Sequence, residues 1–196
     1  MLENLSKYNI ILASNSPRRK EILGGLDLKF EVKTLSGIDE SYPDTLKGEE
    51  IPLHIAKKKA EAYKALLNGN TMIITADTIV WDGERVMGKP KDEADAKAML
   101  RALSGKQHMV YTGVTINTKE KSEAFVASSK VKFAELRDED IEYYVSKYKP
   151  MDKAGSYGIQ EWIGYIACTE MKGSYFNVMG FPVHKVYEIL KKRIFF

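Results

Sequence analysis

The sequence predicts an α/β fold in one domain that covers residues 1–196. Strand-like and helix-like segments alternate along the chain without a linker, a repeat or a low-complexity tract, and this alternation is typical of α/β proteins. With 196 residues, 44% of them hydrophobic, the chain can bury a substantial core. We expect two lobes that flank a substrate cleft.

The periodicity of apolar residues predicts the individual elements in order. We expect strands at 8–14, 28–35, 72–76, 108–117 and 124–136. We expect helices after Ser16 and at 55–67, 92–103, 138–148 and 182–193. Between the last two helices the glycines at 155, 158, 164, 173 and 180 predict a stretch rich in turns rather than packed elements.

The first predicted helix has a basic first turn. Ser16 suits the N-cap and Pro17 the first helical position, but Arg18, Arg19 and Lys20 follow where the helix dipole is already positive. A phosphate group at this end would offset the repulsion. The alternative is a solvated basic turn. The segment therefore favours a protein that binds phosphorylated small molecules.

Two acidic segments could supply catalytic or metal-binding oxygens. Asp77 follows the apolar strand at 72–76, and the carboxyl end of a strand is where open α/β sheets bind ligands. There it could ligate Mg²⁺ or accept a proton from water, or it could simply begin a turn. Asp39 and Glu40 are adjacent carboxylates suited to a hard metal ion, although a solvated turn is the alternative.

The segment at 83–90 nearly matches the P-loop pattern. Pro90 stands where the pattern requires a hydroxyl for Mg²⁺, and it also removes a backbone donor, so a P-loop is not expected. Lys89 can still contact phosphate as a point charge. Gly83 fits a simple turn with Asp82.

The overall composition argues against several other classes. Thirty basic and twenty-seven acidic residues give a formal charge of +3, too balanced for a nucleic-acid or membrane binder. The single Cys168 indicates a reducing compartment, so we expect a cytoplasmic protein. No serine elbow, activated cysteine or zinc-like histidine spacing is present, which leaves metal-assisted attack of water on a phosphoanhydride.

Seven segments resemble the motifs of the Maf family, named for septum-formation inhibition. They lie in the expected order over most of the chain, at 12–19, 76–80, 88–90, 103–108, 111–113, 153–160 and 173–180. The resemblance implies a Maf/inosine triphosphatase-like fold, with a central mixed sheet and flanking helices. It also implies a nucleoside triphosphate pyrophosphatase that cleaves the α–β phosphoanhydride with a divalent cation, Mg²⁺ or Mn²⁺.

The resemblance also implies roles for individual residues. Asp77 would be the catalytic acid-base residue, and Glu40, with Asp39 less surely, would help Asp77 to hold the metal. The triphosphate would be bound by Ser14, Arg18, Arg19, Lys59 and Lys89.

Base choice in the family is tied to the residues that match Arg18, Thr78 and Gln160. Gln160 resembles the dTTP/UTP pyrophosphatases, because a glutamine amide can pair with the imide edge of thymine or uracil. Members that act on 7-methyl-GTP typically have an acidic residue there. Glu161 departs from the glycine that often follows this glutamine in the pyrimidine group.

Three other functions stay open: a 7-methyl-GTP pyrophosphatase, a phosphatase that releases orthophosphate, and a non-enzymatic cell-division regulator or nucleic-acid binder. The charge pattern does not predict the broad basic face that nucleic-acid binding would require. Modified pyrimidine nucleotides, as in a house-cleaning role, are a further candidate substrate. The sequence decides neither the metal nor whether the chain forms a homodimer.

Overall fold

The structure, a computed structural model, describes Leu2 and residues 5–192. The chain divides into two compact units. The first contains Met1–Asp77, Thr112–Ala127 and Gly180–Phe196, and the second contains Thr78–Tyr111 and Ser128–Met179. The prediction of two lobes is therefore confirmed as two units, while the cleft stays a prediction.

The described part of the chain contains seven strands and seven α-helices. The strands are β1 (Asn9–Leu12), β2 (Glu31–Val32), β3 (Thr71–Trp81), β4 (Val86–Met87), β5 (Gln107–Asn117), β6 (Ser122–Phe133) and β7 (Cys168–Lys172). The helices are α1 (Pro17–Gly24), α2 (Glu50–Ala62), α3 (Glu93–Leu103), α4 (Asp138–Tyr148), α5 (Trp162–Ala167), α6 (Tyr175–Val178) and α7 (Val183–Lys191). None of the helices in this part of the chain has the length and apolar composition that a bilayer span requires.

Parallel and antiparallel strand pairs confirm the predicted mixed sheet. In the first unit β1 pairs in parallel with β2 and with β3, and Leu12 lies opposite Ile74. In the second unit β3 pairs antiparallel with β4, and β6 pairs antiparallel with β7. The first unit thus has the parallel β1–β3 arrangement at which α/β proteins bind ligands, beyond the carboxyl end of β1.

The strand predicted at 72–76 continues for five residues beyond its expected C-terminal end. β3 continues to Trp81 because Ile79 and Val80 are buried and Val80 pairs with Met87 of β4. Asp77 therefore lies inside a strand rather than at its end, which corrects the prediction. It still lies beyond the end of neighbouring β1, whose register with β3 stops at Ile74.

Three other boundaries differ from the prediction. Only two exposed residues, Glu31–Val32, form a strand within 28–35. Helix α2 begins at Glu50, because Pro52 falls in its first turn, where a proline is tolerated. The glycine-rich stretch contains β7 and two helices, since Ile163 and Ala167 of α5 are fully buried.

The remaining helices follow the prediction closely. Ser16 caps α1 with Pro17 at its start, α3 has Asp92 as its N-cap, and α4 spans the predicted residues. Helix α7 ends at Lys191, and the predicted end at Arg193 lies outside the described residues.

Helix α2 packs directly against β5, because the contact is made at a glycine. A Cβ at Gly113 would lie 2.5 Å from the Leu53 backbone nitrogen, too close for any side chain. The Thr75 hydroxyl of β3 also donates to the Ala56 carbonyl at 2.7 Å. These contacts fix α2, and with it Lys59, on the sheet of the first unit.

The core of the second unit includes a buried histidine. The His108 ring is 2% exposed, contacts Phe133 and Tyr157 edge-on, and its Nε2 forms a 2.7 Å hydrogen bond with the Tyr157 hydroxyl. Burial lowers the pKa of His108 from 6.5 to about 4.

Acidification should destabilise the protein through His108. Between pH 6.5 and pH 4 the unfolded chain binds a proton at this ring that the folded chain does not, so the free energy of unfolding falls as the pH falls. From about pH 7.5 to about pH 5 the loss should be about 2 kcal/mol. Urea denaturation of the wild type and of His108→Gln measures it. The variant should lack this loss, and an equal loss in both proteins would contradict the assignment.

Candidate active site

The basic N-terminus of α1 is built as the sequence predicted. The Ser16 hydroxyl accepts a hydrogen bond from the Arg19 backbone N–H at 3.4 Å, and the first turn contains no acidic residue. Arg18 is half-buried, whereas Lys20 is exposed. The turn therefore carries helix dipole and side-chain charge of the same sign.

The Arg19 guanidinium joins three segments of the first unit. Its Nε donates to the Gly180 carbonyl at 2.9 Å, and its Nη1 donates to the Ala76 carbonyl at 2.9 Å and to the Ser14 hydroxyl at 3.3 Å. Burial lowers the pKa of Arg19, although Asp77 opposes this effect. Arginine stays protonated, so a buried positive charge lies directly beside Asp77.

Lys59 contacts both Asp77, the predicted catalytic residue, and Glu40, a predicted metal ligand. Lys59 Nζ lies 2.8 Å from Asp77 Oδ1 and 3.0 Å from Glu40 Oε1. The side chains of Lys59 and Asp77 are only 13% and 12% exposed, whereas Glu40 is 57% exposed. The structure thus brings Glu40, Lys59 and Asp77 together, as the sequence suggested.

Asp39 points to a different partner. Its Oδ2 accepts from Lys58 Nζ at 2.6 Å, and its Oδ1 accepts from the Ser41 backbone N–H at 2.8 Å. The Lys58 hydrogen bond, with those from Ser41, holds the pKa of this carboxyl well below its usual range. With both oxygens engaged, Asp39 is a poorer candidate for a metal ligand than Glu40.

The remaining predicted residues, Thr78, Lys89 and Gln160, belong to the second unit. Thr78 is half-buried and directly follows Asp77 in β3, and Lys89 is exposed. The Gly88 carbonyl accepts a hydrogen bond from the Gly155 N–H at 3.1 Å. This bond joins the segment of Lys89 to the loop at 153–160, which bears Gln160.

Gln160 occupies a tight turn. The Glu161 N–H donates to the Gly158 carbonyl at 2.9 Å, so Gln160 is the third residue of a four-residue turn. Its side-chain Oε1 is buried and has no hydrogen-bond partner among the described residues. An unpaired buried acceptor is costly, and a ligand that donates to it would remove that cost.

A charged cluster beneath this turn was not predicted. Lys153, whose side chain is 9% exposed, lies 2.7 Å from Asp152 Oδ1 and 3.1 Å from Glu161 Oε1. Glu161 Oε2 also accepts from the Tyr144 hydroxyl. In the sequence, Lys153 belongs to a segment that resembles the family motif, and Glu161 differs from the glycine that often follows Gln160. Nothing in the sequence indicates that these two side chains meet.

The first unit therefore combines the groups needed to bind and hydrolyse a phosphoanhydride. It has cations for the phosphates, the positive end of a helix dipole and two carboxylates for a proton or a metal. Within Leu2 and residues 5–192, no three carboxylate, histidine or cysteine side chains form a metal cluster by themselves. A metal ion here would need ligands from the substrate or water.

Comparison with known proteins decides the family. The family described as Maf-like protein matches residues 9–193, nearly the whole chain. The chain belongs to the Maf family. A relative from Phocaeicola vulgatus named dTTP/UTP pyrophosphatase is 63% identical over 98% of this Maf chain and 100% of its own. A protein of the same name from Parabacteroides distasonis is 59% identical over 97% of this chain and 99% of its own.

A solved structure gives a more distant likeness. The HAM1 protein from Coxiella burnetii covers 95% of this Maf chain and 98% of its own, at 12% identity and with a TM-score of 0.45. A likeness of this degree adds nothing to the family assignment, which follows from the sequence matches.

Replacing Arg19 with lysine should destabilise this Maf protein. A lysine cannot reach the carbonyls of Gly180 and Ala76 together, so we expect the free energy of unfolding to fall by about 2 kcal/mol. Arg101→Lys is the matched control, because Arg101 is 53% exposed and its 2.7 Å ion pair with Asp138 lies at the surface. Arg101→Lys should lower the free energy of unfolding by less than about 0.5 kcal/mol. If urea denaturation shows that the two variants lose equal free energy of unfolding, the structural role of Arg19 is contradicted.

Proposed function

We propose that this protein is a nucleoside triphosphate pyrophosphatase that hydrolyses dTTP and UTP to the monophosphate and pyrophosphate. The observation that carries the proposal is the convergence of Asp77 and Glu40 on Lys59, in the same unit as the basic turn of α1. The names of the two relatives, more than half identical over almost the whole chain, support the choice of substrate.

The triphosphate binds at the N-terminus of α1. The positive end of the helix dipole there, together with Arg18 and Lys59, offers positive charge to the phosphates. The Ser14 oxygen accepts from Arg19 and from the Ser16 N–H at 3.2 Å, so its own O–H can donate to a phosphate oxygen. Lys89 stays a candidate phosphate contact by family resemblance.

Asp77 accepts a proton from the attacking water. Its carboxylate is 12% exposed and bonded to Lys59, so the water that it polarises is largely screened from bulk solvent. Oxygen attack on the α-phosphorus forms the new P–O bond as the α–β bridging bond breaks. Pyrophosphate then leaves with its charge offset by the surrounding cations.

The carboxylates fit a divalent cation, Mg²⁺ or Mn²⁺. Glu40 and Asp77 already converge on one cationic group, and Mg²⁺ sites commonly use one or two carboxylates with phosphate oxygens and water. When bound, such an ion would lower the pKa of water and neutralise phosphate charge. Asp39 fits less well, because both of its oxygens are already bonded.

Gln160 selects the base. Its Oε1 needs a donor, and the imide N–H of thymine or uracil is one. Arg18 and Thr78 contribute to the same choice by family resemblance. We further propose that residues 1–196 act as one functional domain in the cytoplasm, without nucleic acid or membrane as partner; the proposal does not depend on a homodimer.

Product analysis with a panel of triphosphates tests this function. The purified protein is incubated with dTTP, UTP, CTP, ATP or 7-methyl-GTP, with Mg²⁺, Mn²⁺ or a chelator, and products are identified by ³¹P NMR. We expect dTMP or UMP with pyrophosphate. Asp77→Asn should lower kcat by about 10²- to 10⁴-fold, because it removes the proton acceptor.

Asp44→Asn is the matched control for Asp77→Asn. Asp44 is an exposed aspartate of the same unit, so the variant has the same charge change and should retain the wild-type kcat. Release of orthophosphate would indicate a phosphatase, and preference for 7-methyl-GTP would contradict the role of Gln160. Absence of turnover with every nucleotide would favour a non-enzymatic regulator.

A further inference from the structure

We propose that Glu161 fixes which end of the Gln160 side-chain amide faces the substrate base. Glu161 is then a positioning residue for the choice between uracil and cytosine. The inference rests on the proposed function, because it assumes that Gln160 contacts the base.

The two ends of a glutamine amide are nearly equal in shape, so shape alone does not fix which end faces the base. A glutamine side chain turned by half a rotation exchanges its carbonyl oxygen for its NH₂ group. Uracil presents an N–H and a carbonyl along the edge where cytosine presents a bare ring nitrogen and an amino group. An amide free to turn can pair with either base, so discrimination requires that one orientation be preferred.

The Glu161 carboxylate and the NH₂ group of Gln160 lie near each other, on the same side of Gly158. A Cβ at Gly158 would lie 3.0 Å from Glu161 Oε2 and 3.1 Å from Gln160 Nε2, so both atoms face the same glycine. A carboxylate attracts the amide hydrogens and repels the amide oxygen. This favours the observed orientation, in which Oε1 is the buried acceptor without a partner.

Glu161 is itself held from two sides. Its Oε1 lies 3.1 Å from the nearly buried Lys153 Nζ, and its Oε2 accepts from the Tyr144 hydroxyl. Tyr144 is fully buried, and its hydroxyl also accepts from the Gly158 N–H at 3.0 Å. Burial, and then the hydrogen bond to Glu161, raises the pKa of Tyr144, so the hydroxyl remains a donor.

A simpler role as a helix cap does not account for this side chain. Glu161 is the N-cap residue of α5, but its side chain makes no capping hydrogen bond. It points back to Lys153 and Tyr144 instead.

The test is the ratio of kcat/KM for UTP to kcat/KM for CTP. Glu161→Gln keeps the size of the side chain but removes its charge, so we expect this ratio to fall about tenfold. Tyr144→Phe, which removes one support of Glu161, should shift the ratio in the same direction. Glu142→Gln is the matched control: Glu142 lies on α4 and is ion-paired with Lys97 at 2.6 Å, and this variant should retain the wild-type ratio.

A double-mutant cycle that combines Gln160→Ala with Glu161→Gln separates failure of the proposed function from failure of the role of Glu161. Gln160→Ala should lose discrimination, and adding Glu161→Gln should then change the ratio no further, because both act through one amide. If Gln160→Ala discriminates like the wild type, Gln160 does not select the base and this inference fails, while the proposed hydrolysis stands. If the wild type does not turn over UTP, the proposed function fails and this inference with it. If Gln160→Ala loses discrimination but folded Glu161→Gln and Tyr144→Phe keep it, only the role of Glu161 is overturned.

Discussion

The Lys59 ammonium group is the interaction on which the first unit's site depends. It lies within ion-pair distance of Asp77, from a buried strand, and of Glu40, from a loop without regular structure. Removing it would leave two carboxylates facing each other in partial burial, which is unfavourable. The packing of α2 against Gly113 and Thr75 places Lys59 where it reaches both acids.

The same site concentrates positive charge where a folded protein would normally avoid it. The first turn of α1 has Arg18 and Arg19 at the positive end of the helix dipole, and Arg19 is desolvated. Stability is recovered in part through carbonyl oxygens that accept from Arg19 and through the nearby Asp77. A site that gathers like charges in this way is preorganised for a polyanion.

Much of this could be predicted from the sequence, and the rest could not for identifiable reasons. The cap at Ser16 and helix α4 follow from local signals, which depend on residues a few positions apart. The true end of β3 at Trp81 depends on pairing with β4, and the contact of Lys153 with Glu161 depends on a turn. Such non-local contacts have no signature in the periodicity of one segment. The apolar run at 72–76 indicates Asp77 as a catalytic or metal-binding candidate, although Asp77 lies within the strand and not after it.

Calorimetric titration with a UTP analogue tests the central claim most directly. The analogue has a methylene group in place of the α–β bridging oxygen, so it binds without being cleaved. Lys59→Met should weaken its binding by about 100-fold, since a cation is lost and two carboxylates are left near the phosphates. Lys58→Met, which breaks the neighbouring ion pair with Asp39, should bind like the wild type. Equal affinity of the wild type and Lys59→Met would contradict the assignment of this site to the triphosphate.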